Sequence, residues 1–171
     1  IMNIDSSIAY LIKTDWANQF ESDELNEIQL GVDHGIDPAI YANPELDVRS
    51  MELIRQGLEK GLNVTYLANP DLDYYHVRDL YEGIENGFDM SPYANDDYYS
   101  SQVSVILEGL KKGHDVSVYA NPAFTWEQMD QILKGLDQNV DVTVYADPTI
   151  NRPQMQALRL LLKQGRKITI Q

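Results

Sequence analysis

Apolar side chains recur along the chain at helical spacing, and the same arrangement returns every 26 residues. Met51, Ile54 and Leu58 occupy positions i, i+3 and i+7, which lie on one face of an α-helix. Equivalent triplets are Val103, Ile106 and Leu110, and Met129, Ile132 and Leu136. The pattern predicts a tandem array of amphipathic helices of about 13 residues, which are too short to be stable alone and must pack against neighbouring copies.

Residues that favour helix starts precede these segments. Side-chain oxygens able to accept a hydrogen bond from the first free backbone N–H groups stand at Asp47, Asp73, Thr125 and Asn151. Gln128, three residues after Thr125, completes a capping box. Leu46 and Met51 have the spacing of a hydrophobic staple, and most other copies repeat it. We therefore expect every copy to enter its helix in the same way.

Two series of glycines share the 26-residue interval. The first consists of Gly35, Gly61, Gly87, Gly113 and Gly165, with Asn139 in the remaining copy. It predicts a left-handed residue that ends each helix, because Gly and Asn adopt that conformation most readily. The second lies four residues upstream, at Gly31, Gly57, Gly83, Gly109 and Gly135. Since Gly inside a helix costs about 1 kcal/mol relative to Ala, we expect an adjacent backbone to pass close to this second series.

A short second element follows each glycine stop, and its type is open from the sequence. Asp115 can cap a single helical turn with Val116 and Tyr119 facing inward, and Asp37-Pro38 fits the same reading. The alternation of Val140, Val142 and Val144 instead resembles a strand. Proline at Pro38 and Pro92 argues against a strand, because it lacks a backbone donor.

These signals predict an all-α fold, a right-handed α-solenoid of about six units, each a helix plus a short helix. The alternative is an α/β solenoid with one short strand per repeat. Residues 1–15 are expected to cap the first face. Residues 16–148 form five tandem repeats, and residues 149–171 form a basic C-terminal capping repeat in which Leu161 replaces the upstream glycine.

Charge is distributed unevenly. All 27 Asp and Glu lie in residues 1–148, whereas residues 149–171 carry five Lys and Arg and no acid. An acidic body repels phosphate, so no direct nucleic-acid binding is expected. Cysteine is absent, no apolar run is long enough to span a membrane, and the start lacks the features of a signal peptide. These features predict a cytoplasmic protein without a membrane partner.

One stretch carries the repeat signature most fully. Residues 119–148 begin with Tyr-Ala-Asn-Pro, continue through Gln128-Met129 and Gly135-Leu136, and reach Asp141-Val142. This pattern resembles a family of repeats in poorly characterised proteins of Gram-positive, often gut-dwelling bacteria, commonly on conjugative elements and phage-like islands. The resemblance covers roughly residues 16–170. It implies an accessory or interaction module of a mobile genetic element, and it brings no catalytic residues with it.

Candidate chemistry is sparse. The chain lacks a Walker loop, a nucleophile elbow, a dinucleotide fingerprint and a His-x-x-x-His motif, so we expect no enzyme, no cofactor and no metal site. His34 and His114 lie beside predicted helix ends, and His76 takes a third position, which favours structural roles over a metal site. Turn acids such as Asp71, Asp73, Asp96 and Asp97 lack the spacing of a calcium loop.

Aromatic residues give the best functional lead. Four tyrosines occupy positions where other copies carry mostly polar or small residues: Tyr74, Tyr75, Tyr81 and Tyr99. Tyrosine is favoured at binding hot spots, although irregular packing between divergent repeats explains such residues equally simply. We therefore expect a non-catalytic protein-binding module whose protein partner is unknown. The alternative is an acidic inhibitor that mimics nucleic acid and blocks a DNA-binding enzyme.

Overall fold

A computed structural model describes residues 15–170, which fold entirely into helices and connecting turns. Six α-helices of 12 residues begin 26 residues apart: α1 Ser22–Asp33, α2 Val48–Glu59, α3 Tyr74–Glu85, α4 Ser100–Lys111, α5 Trp126–Asp137 and α6 Arg152–Lys163. Short 3-10 helices precede them at Ala17–Gln19, Pro38–Ile40, Thr65–Leu67, Ser91–Tyr93, Val116–Val118 and Val142–Val144. The all-α prediction with about six copies is confirmed.

The short second element is a 3-10 turn, so the strand alternative is wrong for the described residues. Asp115 and Asp141 each accept a hydrogen bond from the backbone N–H two residues later, at 3.0 and 3.1 Å. Val142 and Tyr145 are both buried, and their spacing of three residues suits a helical turn. The valine alternation was misleading because only Val142 of the three valines is buried.

Helix starts and stops follow the sequence signals. The predicted caps Asp47, Asp73, Thr125 and Asn151 all accept backbone N–H groups from the first helical turn. The capping box of Thr125 and Gln128 is present. Every residue of the predicted stop series has a positive φ, between 54° and 85°: Gly35, Gly61, Gly87, Gly113, Asn139 and Gly165. Both predictions are confirmed.

The upstream glycines face side chains rather than the predicted adjacent backbone, so that expectation is wrong. A Cβ on Gly31 would overlap the Tyr41 hydroxyl, and a Cβ on Gly109 would overlap that of Tyr119. Gly135 meets Tyr145 in the same way, whereas Gly57 meets chiefly Val64 and Tyr81, and Gly83 meets Met90. The segment after each helix thus folds back onto the glycine.

Each such tyrosine also makes a buried hydrogen bond. The hydroxyl of Tyr41 donates to the carbonyl oxygen of Glu27 at 2.8 Å, and that of Tyr145 donates to the carbonyl oxygen of Gln131 at 2.8 Å. Both acceptors lie four residues before the facing glycine, so the ring lies across the last two helical turns. Burial raises the pKa of both phenols, which keeps them as donors.

Glutamine side chains join consecutive copies at the helix starts. The Nε2 of Gln102 donates to the carbonyl oxygens of Pro122 and Phe124, at 3.2 and 2.6 Å, in the loop that leads into the next helix. Gln128 makes the equivalent pair of bonds one copy later. Ser50 occupies this position in α2, where its hydroxyl is buried and lacks a hydrogen-bond partner.

The helices group into two compact units, one ending at Asp96 and one beginning at Asp97. In the first unit α1 packs on α2 and α2 on α3; in the second, α4 packs on α5 and α5 on α6. The boundary falls where Asp96 replaces the proline that four other copies carry, at Pro44, Pro70, Pro122 and Pro148. The capping segment predicted for residues 1–15 lies outside the described residues except for Asp15.

Replacing Gly31 by Ala tests the glycine contact. Helix propensity alone predicts stabilisation by about 1 kcal/mol. The overlap with Tyr41 predicts instead a net destabilisation of about 1–3 kcal/mol. Urea unfolding of Gly31→Ala, with Tyr41→Phe as a second background, measures the difference. The penalty should shrink when the hydroxyl is absent, and a stabilising Gly31→Ala in the wild-type background would contradict the proposed contact.

Replacing Ser50 by Gln tests the glutamine bridge. A glutamine here should hydrogen-bond the loop before α3, and the substitution also removes the buried hydroxyl that lacks a partner. We expect the two effects to stabilise the protein by about 1 kcal/mol. The comparison is thermal unfolding of wild type, Ser50→Gln and Ser50→Ala. The alanine control removes the hydroxyl without adding a bridge, so a glutamine variant no more stable than the alanine variant counts against the bridge.

Candidate interaction surface

Exposed aromatic residues concentrate at the helix starts. Among the described residues, five large apolar side chains are exposed, and three of them stand within the first turn of a helix or just before it. These three are Tyr75, Tyr99 and Trp126, with 53, 77 and 46% of their surface exposed. The other two, Leu160 and Ile170, lie in the last repeat. We call Tyr75, Tyr99 and Trp126 the exposed aromatic set.

In the first unit the aromatic residues are combined with arginine. The Arg49 guanidinium lies over the Tyr74 ring, 4.1 Å from its centre, and Tyr74 contacts Tyr75 with ring centres 5.5 Å apart. Arg78 lies 5.4 Å from the centre of the Tyr75 ring. Asp47 accepts hydrogen bonds from Arg49, which hold the guanidinium in place and lower the pKa of the Asp47 carboxyl. One face of Tyr74 is therefore covered by the chain itself.

In the second unit a groove of about 300 Å³ separates the starts of α4 and α5. Residues that line it include Tyr99, Ser101, Phe124, Trp126 and Glu127. Gln102 fixes the groove, because its Oε1 accepts the N–H of Tyr99 while its Nε2 binds the loop before α5. Two exposed aromatic rings, Tyr99 and Trp126, and one carboxylate thus border a groove whose backbone is held by the hydrogen bonds of Gln102.

A second groove lies one copy further, between the starts of α5 and α6. Thr125, Glu127, Pro148 and Arg152 are among its lining residues, so Glu127 borders both grooves. The Nε2 of Gln128 donates to the carbonyl oxygens of Pro148 and Ile150, at 3.0 and 2.8 Å. The same bridge therefore shapes both grooves.

The opposite ends of the helices carry paired charges. Glu59 accepts hydrogen bonds from His34 and Arg55, at 2.6 and 2.8 Å, and these contacts lower the pKa of its carboxyl. Arg55 is buried and also binds Glu27 at 2.6 Å. Lys60 binds Glu85 of the next helix in the same way. At this edge of the first unit, Glu59 and Glu85 therefore form ion pairs within the chain.

The second unit repeats this arrangement with different residues. Lys112 and His114 both contact the Asp137 carboxylate, each at 2.8 Å. Arg159, equivalent to Arg55, binds the side-chain oxygens of Gln131 and Gln138 at 3.1 and 3.0 Å. An arginine at this position thus joins two helices in both units.

The three histidines occupy the structural positions that the sequence favours. His34 and His114 pair with carboxylates at helix ends. His76 is buried, and its Nε2 lies 2.8 Å from the carbonyl oxygen of Tyr93. Over residues 15–170, no group of three or more His, Asp or Glu side chains is placed to hold a metal ion.

The four candidate tyrosines have different environments. Tyr75 and Tyr99 are exposed, and Tyr74 is half-buried beneath Arg49. Tyr81 is only 6% exposed: it packs on Gly57, and Lys60 donates to its hydroxyl at 3.2 Å. Tyr81 therefore offers a partner little surface, because its position in α3 faces the preceding helix.

Sequence reasoning missed Trp126 and Arg49. Trp126 is the first residue of α5, the position that Tyr74 holds in α3, so aligning the copies position by position would have found it. The role of Arg49 could not be predicted from the sequence, because its contact with Tyr74 is a tertiary contact between two copies of the repeat. Tyr74 and Tyr75 belong to one compact unit and Tyr99 to the other.

No described helix has both the length and the apolar character needed to cross a bilayer. Comparisons with protein-family models, with curated proteins and with solved structures find no match to this chain.

Proposed function

We propose that this chain is a non-catalytic protein-interaction module that binds its partner through the helix starts. The observation that carries the proposal is the exposed aromatic set: Tyr75, Tyr99 and Trp126 all stand at the start of a helix. Tyr and Trp are the residues most enriched at binding hot spots, because they bury a large area at a low cost in conformational entropy. Elsewhere, comparable rings such as Tyr41 and Tyr145 are fully buried.

The two ends of the helices differ in a way that supports this choice of surface. At the helix C-terminal ends, Glu59, Glu85 and Asp137 are occupied by cations of the same chain. At the helix starts, the exposed Tyr99 and Trp126 border the groove between α4 and α5, and Gln102 holds the loop beside it. A rigid groove loses little entropy on binding, which favours affinity.

The biological setting follows from the resemblance described above. The repeats that this chain resembles occur on bacterial mobile elements, so we propose an accessory protein of such an element that acts in the cytoplasm. The absence of cysteine fits a reducing compartment.

Nucleic-acid mimicry is the alternative, and it is supported by the net charge of −14. It requires carboxylates free to stand in for phosphates. Asp89, Asp115 and Asp141 accept backbone N–H groups of the short helices, and Glu59 and Asp137 bind cations. Many acids therefore have local partners, which favours the aromatic surface as the binding site.

Removing the exposed aromatic set tests the proposed function. The variant Tyr75→Ala/Tyr99→Ala/Trp126→Ala should lose partner binding, since a single hot-spot residue contributes about 2 kcal/mol, or roughly 30-fold in affinity. The measurement is affinity capture from lysate of the native host with quantitative mass spectrometry.

A matched control removes exposed apolar surface elsewhere. Leu160→Ala/Ile170→Ala deletes the other two large apolar side chains that are exposed within residues 15–170 and should retain the partners. Retention of every partner by the triple variant, or equal losses in both variants, would refute the proposal. Circular dichroism of both variants checks that the helices are intact.

A further inference from the structure

The two units differ at the pair of equivalent positions where an arginine covers an aromatic ring in the first unit. In the first unit, Arg49 is the second residue of α2, and its guanidinium covers Tyr74, the first residue of α3. In the second unit, the second residue of α4 is Ser101 and the first residue of α5 is Trp126. The aromatic ring is kept, whereas the arginine is replaced by a short side chain. Within residues 15–170, no cation lies over the Trp126 ring.

The carboxylate also changes place. Asp47 holds Arg49 in the first unit, and Tyr99 takes the position of Asp47 in the second. Glu127 supplies a carboxylate instead, since it lines the same groove as Tyr99 and Trp126. Glu127 forms no ion pair with any described residue. The groove is therefore bordered by two exposed aromatic side chains and an unneutralised carboxylate.

These groups match the requirements of a guanidinium. A planar, weakly hydrated cation stacks on an aromatic face and hydrogen-bonds a carboxylate with its N–H groups. The start of a helix disfavours a cation through its dipole. Arg49 nevertheless occupies this position, because Asp47 and Tyr74 offset that cost. The net charge of −14 further favours a basic partner.

We propose that the groove between α4 and α5 binds an arginine side chain of a partner protein. The guanidinium stacks on Trp126, hydrogen-bonds the Glu127 carboxylate, and takes the place that Arg49 holds in the first unit. Tyr99 closes the other side of the groove. This inference rests on the proposed function and narrows it to a partner that presents arginine in an exposed segment.

The first experiment follows the Trp126 indole N–H signal by NMR. The chain has two tryptophans, so Trp16→Phe assigns the two indole signals. The probe is a capped Gly-Ser peptide with one central arginine, compared with the same peptide carrying lysine or citrulline. Citrulline keeps the shape of arginine but removes its charge. The arginine peptide should shift the Trp126 signal saturably with a Kd on the order of millimolar.

The comparison peptides define the outcome. The lysine peptide should bind at least about threefold more weakly, and the citrulline peptide should produce no saturable shift. Equal binding of arginine and citrulline, or no binding of the arginine peptide, overturns the proposal. Glu127→Gln should weaken the arginine peptide by about threefold, and unchanged binding in that variant also overturns the carboxylate's role.

A graft into the groove gives an independent test. Ser101→Arg recreates the residue that the first unit carries, so the new guanidinium should cover Trp126 and weaken the arginine peptide at least about tenfold. Ser101→Gln, which adds length without charge, should bind within about twofold of wild type. Ser101 is exposed, so both variants should fold. Undiminished binding by Ser101→Arg overturns the proposal.

These measurements can refute the arginine site and the proposed function independently of each other. The aromatic variant could lose its partners while the arginine and citrulline peptides bind equally. That result would support the interaction module and reject arginine as its ligand. Selective binding of the arginine peptide together with full retention of partners by the aromatic variant would reject the aromatic surface as the partner site.

Discussion

The contact between each upstream glycine and the side chain that folds back onto it sets the shape of the repeat. Without a side chain on Gly109, the Tyr119 ring can lie against the helix and donate to the carbonyl oxygen of Val105 at 2.9 Å. That position determines where the chain turns towards the next helix. The left-handed Gly113 completes the turn, since positive φ suits glycine. Each described α-helix ends two residues before such a left-handed residue, which gives helices of equal length at equal intervals.

The residue that contacts the upstream glycine differs between copies, because different side chains can fill the space beside the glycine. Tyrosine does so opposite Gly31, Gly109 and Gly135, while Val64 and Met90 do so in the other two copies. In these two copies the short helix begins one residue later than in the others. Opposite Gly57 the smaller Val64 shares the space with Tyr81, a residue of the next helix.

The positions that we propose for partner binding are those that the repeat contact does not use. Helix C-terminal ends are joined by pairs such as Lys60 with Glu85 and Lys112 with Asp137. Helix starts are joined through Gln102 and Gln128, which bind backbone and leave the neighbouring side chains free to vary. Repeat proteins commonly place their binding residues on one such variable surface.

Periodicity and local capping chemistry were enough to predict the helices, their first residues and the left-handed stops. Those features depend on residues within a few positions of one another, such as Thr125 with Gln128, so one sequence contains the whole cause. Three other features depend on contacts between residues 10 to 25 positions apart. They are the contact of Gly31 with Tyr41, the burial of Tyr81 and the stacking of Arg49 on Tyr74. Tertiary packing alone decided them, because the same tyrosine is a core residue or an exposed one according to which face of its helix meets a neighbour.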